Sequence, residues 1–297
     1  MEWEKAKKFV ILLLVCLNVI LAVLYQSQQK EHTMSASQEK AVFEVLSKNG
    51  ITMYTDLMTE YAPMRRLVCK KILYTKERLE QIFFDGKKTV VIPSDGRILY
   101  RGDDTILTMQ GSKGEVVYDV SVGKENLTKD QATDQAEAYI KQLQKAFQQF
   151  VFYGTQEQEN GYCVKFYQKY EGQYIFSNYI FVYVSKDGVY RTEFCVYPIE
   201  GYVGERKDIF YADEALLAFM RKWQEINPKQ HVTIQRMDLG YMTTEQKGGA
   251  DGSSYAVPCY MISVMEYPQP FLINAYTCQM IEPYQALQES EKKDTTS

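Results

Sequence analysis

The pattern of apolar and polar positions changes after residue 25. Residues 9–25 (FVILLLVCLNVILAVLY) are apolar except for Asn18. A helix over this span would be about 25 Å long, close to the roughly 30 Å hydrocarbon core of a bilayer. The pattern therefore predicts a transmembrane signal anchor at residues 9–25. A cleaved signal peptide is the alternative, but the end of the run, Ala-Val-Leu-Tyr, fits a small-x-small cleavage site poorly.

The flanks of this segment predict its orientation. Lys5, Lys7 and Lys8 precede it, whereas the stretch that follows, residues 26–29, is neutral. Basic residues favour the cytoplasmic side of a membrane. Residues 1–8 are therefore expected in the cytoplasm and the chain after residue 25 outside the cell, because no later stretch has enough apolar length to cross again. The prediction is a single-pass protein of the cell membrane with an extracellular C-terminal region.

The first extracellular part, residues 26–123, combines helical and extended patterns. Ser35 and Gln38 have capping-box spacing and begin an amphipathic stretch, which predicts a helix over residues 36–48. Other predicted elements are extended segments at 51–54 and 64–74, a short helix capped by Thr75, and a β-hairpin of residues 89–92 and 97–100 around a Pro-Ser-Asp-Gly turn.

Residues 124–287 show a plan of one helix followed by an antiparallel meander. The plan is used twice, at residues 124–206 and 207–287, which suggests an internal duplication and an α+β fold. Capping residues mark both helix starts, Thr128 in the first copy and Asp213 in the second. The polar tail at 288–297 is predicted to be disordered. Strands are expected at 162–166, 174–184, 189–197, 232–242, 255–265 and 271–276, with a glycine-rich loop at 248–252.

Charge and cysteine content narrow the class of protein. The 297 residues carry a formal net charge of −4 with no basic stripe, which argues against nucleic acid as a partner. Of the six cysteines, Cys16 lies in the apolar segment and the others lie beyond it without a CxxC pair. That spacing indicates neither a disulfide framework nor a zinc site, so these cysteines are expected to be small buried hydrophobes. The sequence leaves undecided whether Cys163 and Cys195 form a disulfide bridge. The chain also has 24 tyrosines, which suit half-buried strands and interaction surfaces.

Few residues could form a catalytic site. His32 and His231 are the two histidines, so a Ser–His or Cys–His arrangement would have to use His231. The acidic pairs Asp103-Asp104 and Asp213-Glu214 are adjacent in sequence, and adjacent side chains on a helix or strand point apart. No phosphate-binding, dinucleotide-binding or zinc-protease motif is present. The sequence therefore predicts no enzyme activity, no cofactor, no metal site and no small-molecule substrate.

Asn18 is the polar exception within the apolar segment. An amide at mid-membrane depth is costly unless it finds a hydrogen-bond partner, and such groups tend to face another helix. A single-pass anchor has no second helix of its own, so the contact would be with another protein or another copy. The alternative is that Asn18 bonds back to its own helix or draws in water.

Two stretches of the sequence resemble the YycI family. One is the amino terminus, with Trp3, Lys5 and Lys7 before the apolar run and Leu17-Asn18 within it. The other lies in the extracellular region: residues 166–172 (FYQKYEG), Ile175-Phe176 and the Asp187-Gly188 turn. Chain length and the single anchor agree with that family. The helix-plus-meander units are also similar to PepSY-type modules.

The resemblance implies a non-enzymatic regulator of an essential two-component system in low-GC Gram-positive bacteria. It implies contact with a membrane-spanning sensor kinase (YycG, also called WalK) and with a companion regulator, YycH, in the control of cell-wall homeostasis. Asn18, Trp3, Lys5 and Lys7 would then form the partner interface. The alternative function is a PepSY-like extracellular partner or inhibitor of a cell-wall hydrolase or protease. An extracellular enzyme is a third hypothesis, and it would depend on His231.

Overall fold

The structure, a computed structural model, describes residues 2–31, 33–70, 72, 74–143, 149–227, 230–244 and 254–281. The mixed α+β class predicted from the sequence is confirmed. The helices are α1 Glu2–Glu31, α2 Ala36–Lys48, α3 Lys76–Phe83, α4 Lys129–Leu143 and α5 Ala212–Ile226. The strands are β1 Ile51–Met53, β2 Met64–Cys69, β3 Val90–Ser94, β4 Arg97–Arg101, β5 Thr105–Gln110, β6 Lys113–Tyr118, β7 Phe150–Gln158, β8 Gly161–Tyr170, β9 Gln173–Ser185, β10 Gly188–Cys195, β11 Ile199–Lys207, β12 Val232–Thr244, β13 Ser254–Val264, β14 Phe271–Asn274 and β15 Met280–Ile281.

Some of the sequence predictions fall on residues outside this description. They are His32, the glycine-rich loop at 248–252 and the tail at 288–297. The chain divides into two compact units. Unit 1 comprises residues 1–64, 206–237 and 262–297, and unit 2 comprises residues 65–205 and 238–261.

Unit 2 is built on an antiparallel run of strands, and α4 packs against one face of that run. Strands β7, β8, β9, β10, β6, β5, β4 and β3 follow one another by antiparallel pairing. The core lies where Ala132, Ala136 and Ile140 of α4 meet inward side chains of the strands, among them Val164 and Val182. Alternation along a strand puts every second side chain on this face, so the other face carries the remaining set.

The capping residues predicted from the sequence are confirmed at three helix starts. The Ser35 hydroxyl accepts the Gln38 N–H and the Gln38 side chain accepts the Ser35 N–H, which completes the predicted capping box of α2. Thr128 and Gln131 make the same reciprocal pair at α4. The Thr75 hydroxyl accepts the Arg78 N–H and starts α3. These bonds use backbone donors that a helix start otherwise leaves without partners.

The predicted cap of α5 was wrong. Asp213 lies inside the first turn, and the residue that precedes the helix is Tyr211. Glu214 explains the earlier start, because its carboxylate accepts the Tyr211 N–H at 3.1 Å. The Asp213 carboxylate accepts the Glu214 N–H at 2.9 Å. An acidic residue in the first turn is favourable next to the helix dipole, which is the role that Asp213 has here.

The strands after α5 pair in chain order, β12 with β13 and β13 with β14, but β12 also has parallel partners that the predicted meander lacks. β12 pairs in parallel with β1 in the register Ile51↔Val232, and in parallel with β9 in the register Gly240↔Tyr174. Parallel pairing joins segments far apart in sequence, so a local apolar pattern does not reveal it. The open question of a Cys163–Cys195 bridge is also answered: β9 lies between their strands, and both thiols are free.

Unit 1 has its own aromatic core around α5. Trp223 is 1% exposed, and its ring lies 6.1 Å from Phe219, 5.9 Å from Phe271 and 6.2 Å from Tyr267. The indole Nε1 donates to the Gln230 carbonyl at 3.0 Å. The same cluster therefore joins α5 to β14 and to the chain that leads into β12.

Glu80 is a buried carboxylate that joins α3 to the start of β3. It is 2% exposed and accepts the Thr89 N–H at 2.7 Å and the Thr89 hydroxyl at 3.0 Å. Lys88 Nζ and Lys76 Nζ lie 3.4 Å and 3.6 Å from its oxygens. The Thr89 N–H, more than any other contact, lowers the pKa of Glu80, while burial opposes this effect.

A Glu80→Gln variant is expected to lose stability at neutral pH and to match the parent protein in acid. Because the pKa of Glu80 is lower in the folded than in the unfolded chain, its contribution is present above the unfolded value of about 4.3. That contribution is lost as the pH falls through the lower folded value. Urea unfolding between pH 7 and pH 3, followed by circular dichroism, measures the difference. Glu77→Gln, at an exposed position of α3, is the control; a pH-independent gap between Glu80→Gln and the parent would contradict the assignment.

Candidate functional site

Helix α1 presents an exposed apolar surface over residues 9–21. It runs for 30 residues, and its backbone includes the predicted anchor at residues 9–25. Side chains from Phe9 to Leu21 are 50% to 67% exposed at the leucine, isoleucine, valine and phenylalanine positions. Exposed apolar patches of this kind mark surfaces that bind protein or lipid.

In the part of the chain that the structure describes, no helix meets the length and apolarity needed to cross a bilayer. The transmembrane anchor at residues 9–25 therefore stays a prediction.

The residues predicted as an interface lie on α1. Trp3, Lys7 and Asn18 are spaced four and eleven residues apart, which places them on one face of the helix. Lys7 Nζ lies 5.5 Å from the centre of the Trp3 ring, a cation–π contact, and Trp3 is 73% exposed. The side chain of Lys5 lies outside the described part. Their role as a partner interface is untested and stays a prediction.

Asn18 uses its own helix for one hydrogen bond. Its Nδ2 donates to the Leu14 carbonyl at 2.9 Å, which is the local alternative named from the sequence. One amide hydrogen and the Oδ1 acceptor are left with no hydrogen-bond partner among the described residues. Asn18 can therefore still accept a bond from a second helix while it donates to its own.

His231 is the one histidine among the described residues. His231 is exposed, and these residues contain no group of three or more His, Cys, Asp or Glu that could hold a metal ion. Burial raises the pKa of the Cys69, Cys163 and Cys195 thiols to about 11. A thiol with that pKa stays protonated at neutral pH, so none of the three is an activated nucleophile.

One cleft of about 290 Å³ opens beside the β4–β5 turn of unit 2. Asp103, Asp104 and Asp119 line it, and the Asp119 N–H donates to the Asp104 carbonyl at 2.8 Å, which extends the antiparallel pairing of β5 and β6 by one residue. The Tyr118 hydroxyl at its wall lies 2.7 Å from the Tyr139 hydroxyl. Burial raises the pKa of both tyrosines, so they stay neutral and hold α4 against the sheet.

The sheet face of unit 2 that does not pack on α4 carries aromatic and charged side chains. On β9, Tyr179, Phe181 and Tyr183 alternate with buried residues, and the first two rings stack at 4.5 Å. The Arg191 guanidinium lies 4.8 Å above the Tyr183 ring, and Lys165 Nζ lies 5.7 Å from the Phe181 ring. Half-exposed tyrosine and arginine are typical of protein interfaces. Only the high tyrosine count pointed to this face from the sequence.

Two solved structures resemble this chain at low sequence identity. One is an uncharacterized protein from Eubacterium rectale ATCC 33656, with TM-score 0.48 and 11% identity over 78% of this chain and 89% of that one. The other is the Bacillus megaterium YpeB C-terminal domain, with TM-score 0.39 and 14% identity over 72% of this chain and 97% of that one. Neither score supports an argument, so the PepSY-like character stays a prediction. No curated protein matches the sequence.

A match to a known protein family covers more of the chain than either of these structures does. Residues 24–276 match the YycI protein family, so the match covers all of unit 2 and about two thirds of unit 1 and begins at the end of the apolar segment. The extracellular stretches that suggested the family, at 166–172, Ile175-Phe176 and Asp187-Gly188, lie inside the matched region. The chain belongs to the YycI family.

Proposed function

We propose that the protein is a membrane-anchored, non-enzymatic regulator of an essential sensor histidine kinase that controls cell-wall homeostasis. It acts through α1, which contacts the transmembrane helices of a YycG/WalK-like kinase, and through an extracellular YycH-like companion. The observation that carries the proposal is the YycI match over residues 24–276, because YycI is a regulatory family of the YycFG two-component system.

The exposed apolar surface of α1 supports the membrane part of the proposal. Side chains such as Phe9, Leu12 and Ile20 are more than half exposed, and moving each of them out of water would lower the free energy. The three lysines before residue 9 favour a cytoplasmic amino terminus. The units after α1 then lie outside the cell, where the aromatic face of unit 2 is available to the companion.

Regulation requires a difference in affinity between two states of the kinase. A regulator that binds both states equally shifts nothing, however tightly it binds. One interhelical hydrogen bond in a membrane contributes on the order of 0.6–2 kcal/mol. If Asn18 bonds to one kinase state alone, this contribution shifts the kinase equilibrium by about threefold to thirtyfold.

An Asn18→Leu variant is expected to associate with the kinase about threefold to thirtyfold more weakly, because Oδ1 can no longer accept a bond from the kinase. Association is measured in intact membranes with a two-hybrid assay, and output by the transcription of genes under kinase control. Val19→Leu is the matched control, since it changes an apolar neighbour without removing a polar atom. Undiminished association and normal output in Asn18→Leu would remove the role given to Asn18.

A second experiment separates this proposal from an extracellular inhibitor of a hydrolase or protease. Residues 9–25 are replaced in the full chain by an unrelated apolar helix, which keeps the location and removes the specific contacts. The kinase proposal predicts loss of regulation, whereas an inhibitor acting through its extracellular units alone would remain active. Retained regulation would contradict the proposal.

A further inference from the structure

Helix α1 continues beyond the predicted anchor and joins the rest of unit 1 through a very short connection. The helix ends at Glu31, so residues 26–31 extend it past the apolar segment by about 9 Å. One residue, His32, separates the end of the helix from Thr33, which forms a β-bridge with Glu60. Each residue of a connection adds two rotatable backbone torsions, so a connection this short leaves little rotational freedom between a helix and the chain that follows it.

The chain is held in place from Thr33 onward. The Met34 N–H donates to the Thr59 carbonyl at 2.9 Å, and the Met34 side chain is 3% exposed. Ser35 then caps α2 through the reciprocal hydrogen bonds with Gln38. The three residues after the connection are therefore fixed in turn by a backbone pair, a buried side chain and a helix cap.

The segment that receives this pairing, residues 59–61, belongs to the core of unit 1. Tyr61 is 1% exposed, and its ring stacks on the Tyr211 ring with centroids 4.5 Å apart. Tyr211 directly precedes α5. Helix α5 contacts α2 in turn, where Gln224 Nε2 donates to Asn49 Oδ1 at 3.0 Å. The chain that leaves α1 is therefore joined within two residues to a segment packed on α5, and it continues directly into α2.

This connection sets the direction in which Asn18 points relative to the rest of unit 1. Successive residues of an α-helix are turned by about 100° around its axis, so the number of residues between Asn18 and Thr33 fixes the angle between them. In the proposed function the chain is bound at two places: α1 contacts a kinase helix in the membrane, and the extracellular units bind the companion. Both contacts form together only when this angle lets Asn18 face the kinase while the extracellular units face the companion.

We propose that α1 is a rotational coupling, so that a turn of unit 1 outside the membrane turns the Asn18 face inside it. This inference rests on the proposed function, because it needs a partner at each end of the helix. A partner that reorients the extracellular units then favours or disfavours the kinase state that Asn18 recognises. Binding at one end changes affinity at the other, and the effect is reciprocal, as coupling between two sites requires.

Alanine insertions between Gln28 and Gln29 in the full-length chain test this coupling. One alanine turns unit 1 relative to Asn18 by about 100°, two by about 200°, and four by about 400°, which is about 40° from the parent orientation. One and two alanines are expected to weaken association with the kinase about threefold to thirtyfold, as Asn18→Leu does, and four alanines to restore most of it. Association is measured in intact membranes with the two-hybrid assay, and output by the transcription of genes under kinase control.

A Gly-Gly insertion at the same place is the matched control. It has the length of two alanines, but glycine disfavours the helix and lets the chain swivel, so it should keep more association than Ala-Ala. Ala-Ala inserted after Asn160, in the exposed β7–β8 turn, should leave association unchanged. Association that falls steadily with insert length, equals the parent in every insertion, or is as weak with Gly-Gly as with Ala-Ala would overturn the coupling. If Asn18→Leu is weakened while one and two alanines are not, the coupling alone fails; if Asn18→Leu associates as the parent does, the membrane contact given to Asn18 in the proposed function fails as well.

Discussion

Replacing Trp223 with alanine is expected to destabilise unit 1 by about 3–5 kcal/mol, the usual cost of truncating a buried tryptophan. The side chain is 1% exposed and contacts Phe219 on its own helix and Phe271 on β14. Truncation leaves a cavity where these rings meet. It also removes the 3.0 Å hydrogen bond from Nε1 to the Gln230 carbonyl, so α5 loses its contact with the chain that leads into β12.

Urea unfolding followed by circular dichroism measures this loss. Fluorescence is unsuitable because Trp223 is one of two tryptophans, and the other, Trp3, lies in α1. Trp223→Phe keeps an aromatic ring and should fall between the parent and the alanine variant. Lys222→Ala, on the exposed side of α5, should change stability by less than about 0.5 kcal/mol. A Trp223→Ala variant as stable as Lys222→Ala would show that α5 is not held by this cluster.

The part of the fold that sequence could predict is the part set by neighbours along the chain. The capping pair Ser35 and Gln38 and the amphipathic stretch after it predicted α2 at its observed bounds, Ala36–Lys48. The Pro-Ser-Asp-Gly turn predicted the β3–β4 hairpin. In each case the determining contacts lie within four residues, so they can be read as spacing.

Contacts between distant segments could not be read in this way. β7 was missed although it is nine residues long, because its sequence, FVFYGTQEQ, is apolar at one end and polar at the other. β12 pairs with β1, which precedes it by about 180 residues, and nothing local marks that partner. Nothing in the spacing around Glu80 marks it as buried, because its partner Thr89 lies nine positions later.

The candidate surfaces also differ in whether neighbours along the chain or pairing between distant strands determines them. Asn18 stands out in the sequence because every neighbour within residues 9–25 is apolar. The aromatic face of unit 2 does not stand out, because it depends on which strands pair. Tyr183 and Arg191 meet only because β9 and β10 are adjacent in the register Arg191↔Tyr183.

An Asn178→Leu variant is expected to lose about 2–3 kcal/mol of folding free energy. Asn178 is fully buried at a break in β9, where Tyr167 pairs with Tyr179 but Gln168 pairs with Ile175. At this break, its side-chain amide makes the pair of hydrogen bonds to the Tyr197 backbone that a strand residue would make with its own backbone. Nδ2 donates to the Tyr197 carbonyl at 2.8 Å and to Gln168 Oε1 at 2.5 Å, and Oδ1 accepts the Tyr197 N–H at 2.9 Å. Leucine has similar volume but makes none of these three bonds, and the Gln168 side chain that loses its partner is buried.

Asn178→Asp separates the loss of hydrogen bonds from a simple change of packing. An ionised aspartate can accept the Tyr197 N–H but faces the Gln168 and Tyr197 oxygens, so burial and repulsion raise its folded pKa above the unfolded value of about 3.9. A raised folded pKa means that the folded state binds the extra proton, and stability is lost as the pH rises through that value. This variant should therefore be closer to the parent at pH 4 than at pH 7 in urea unfolding, whereas Asn178→Leu should show no such recovery. Asn160→Leu, in the exposed β7–β8 turn, is the control, and an Asn178→Asp variant whose deficit is the same at both pH values would contradict the hydrogen-bonded role of the amide.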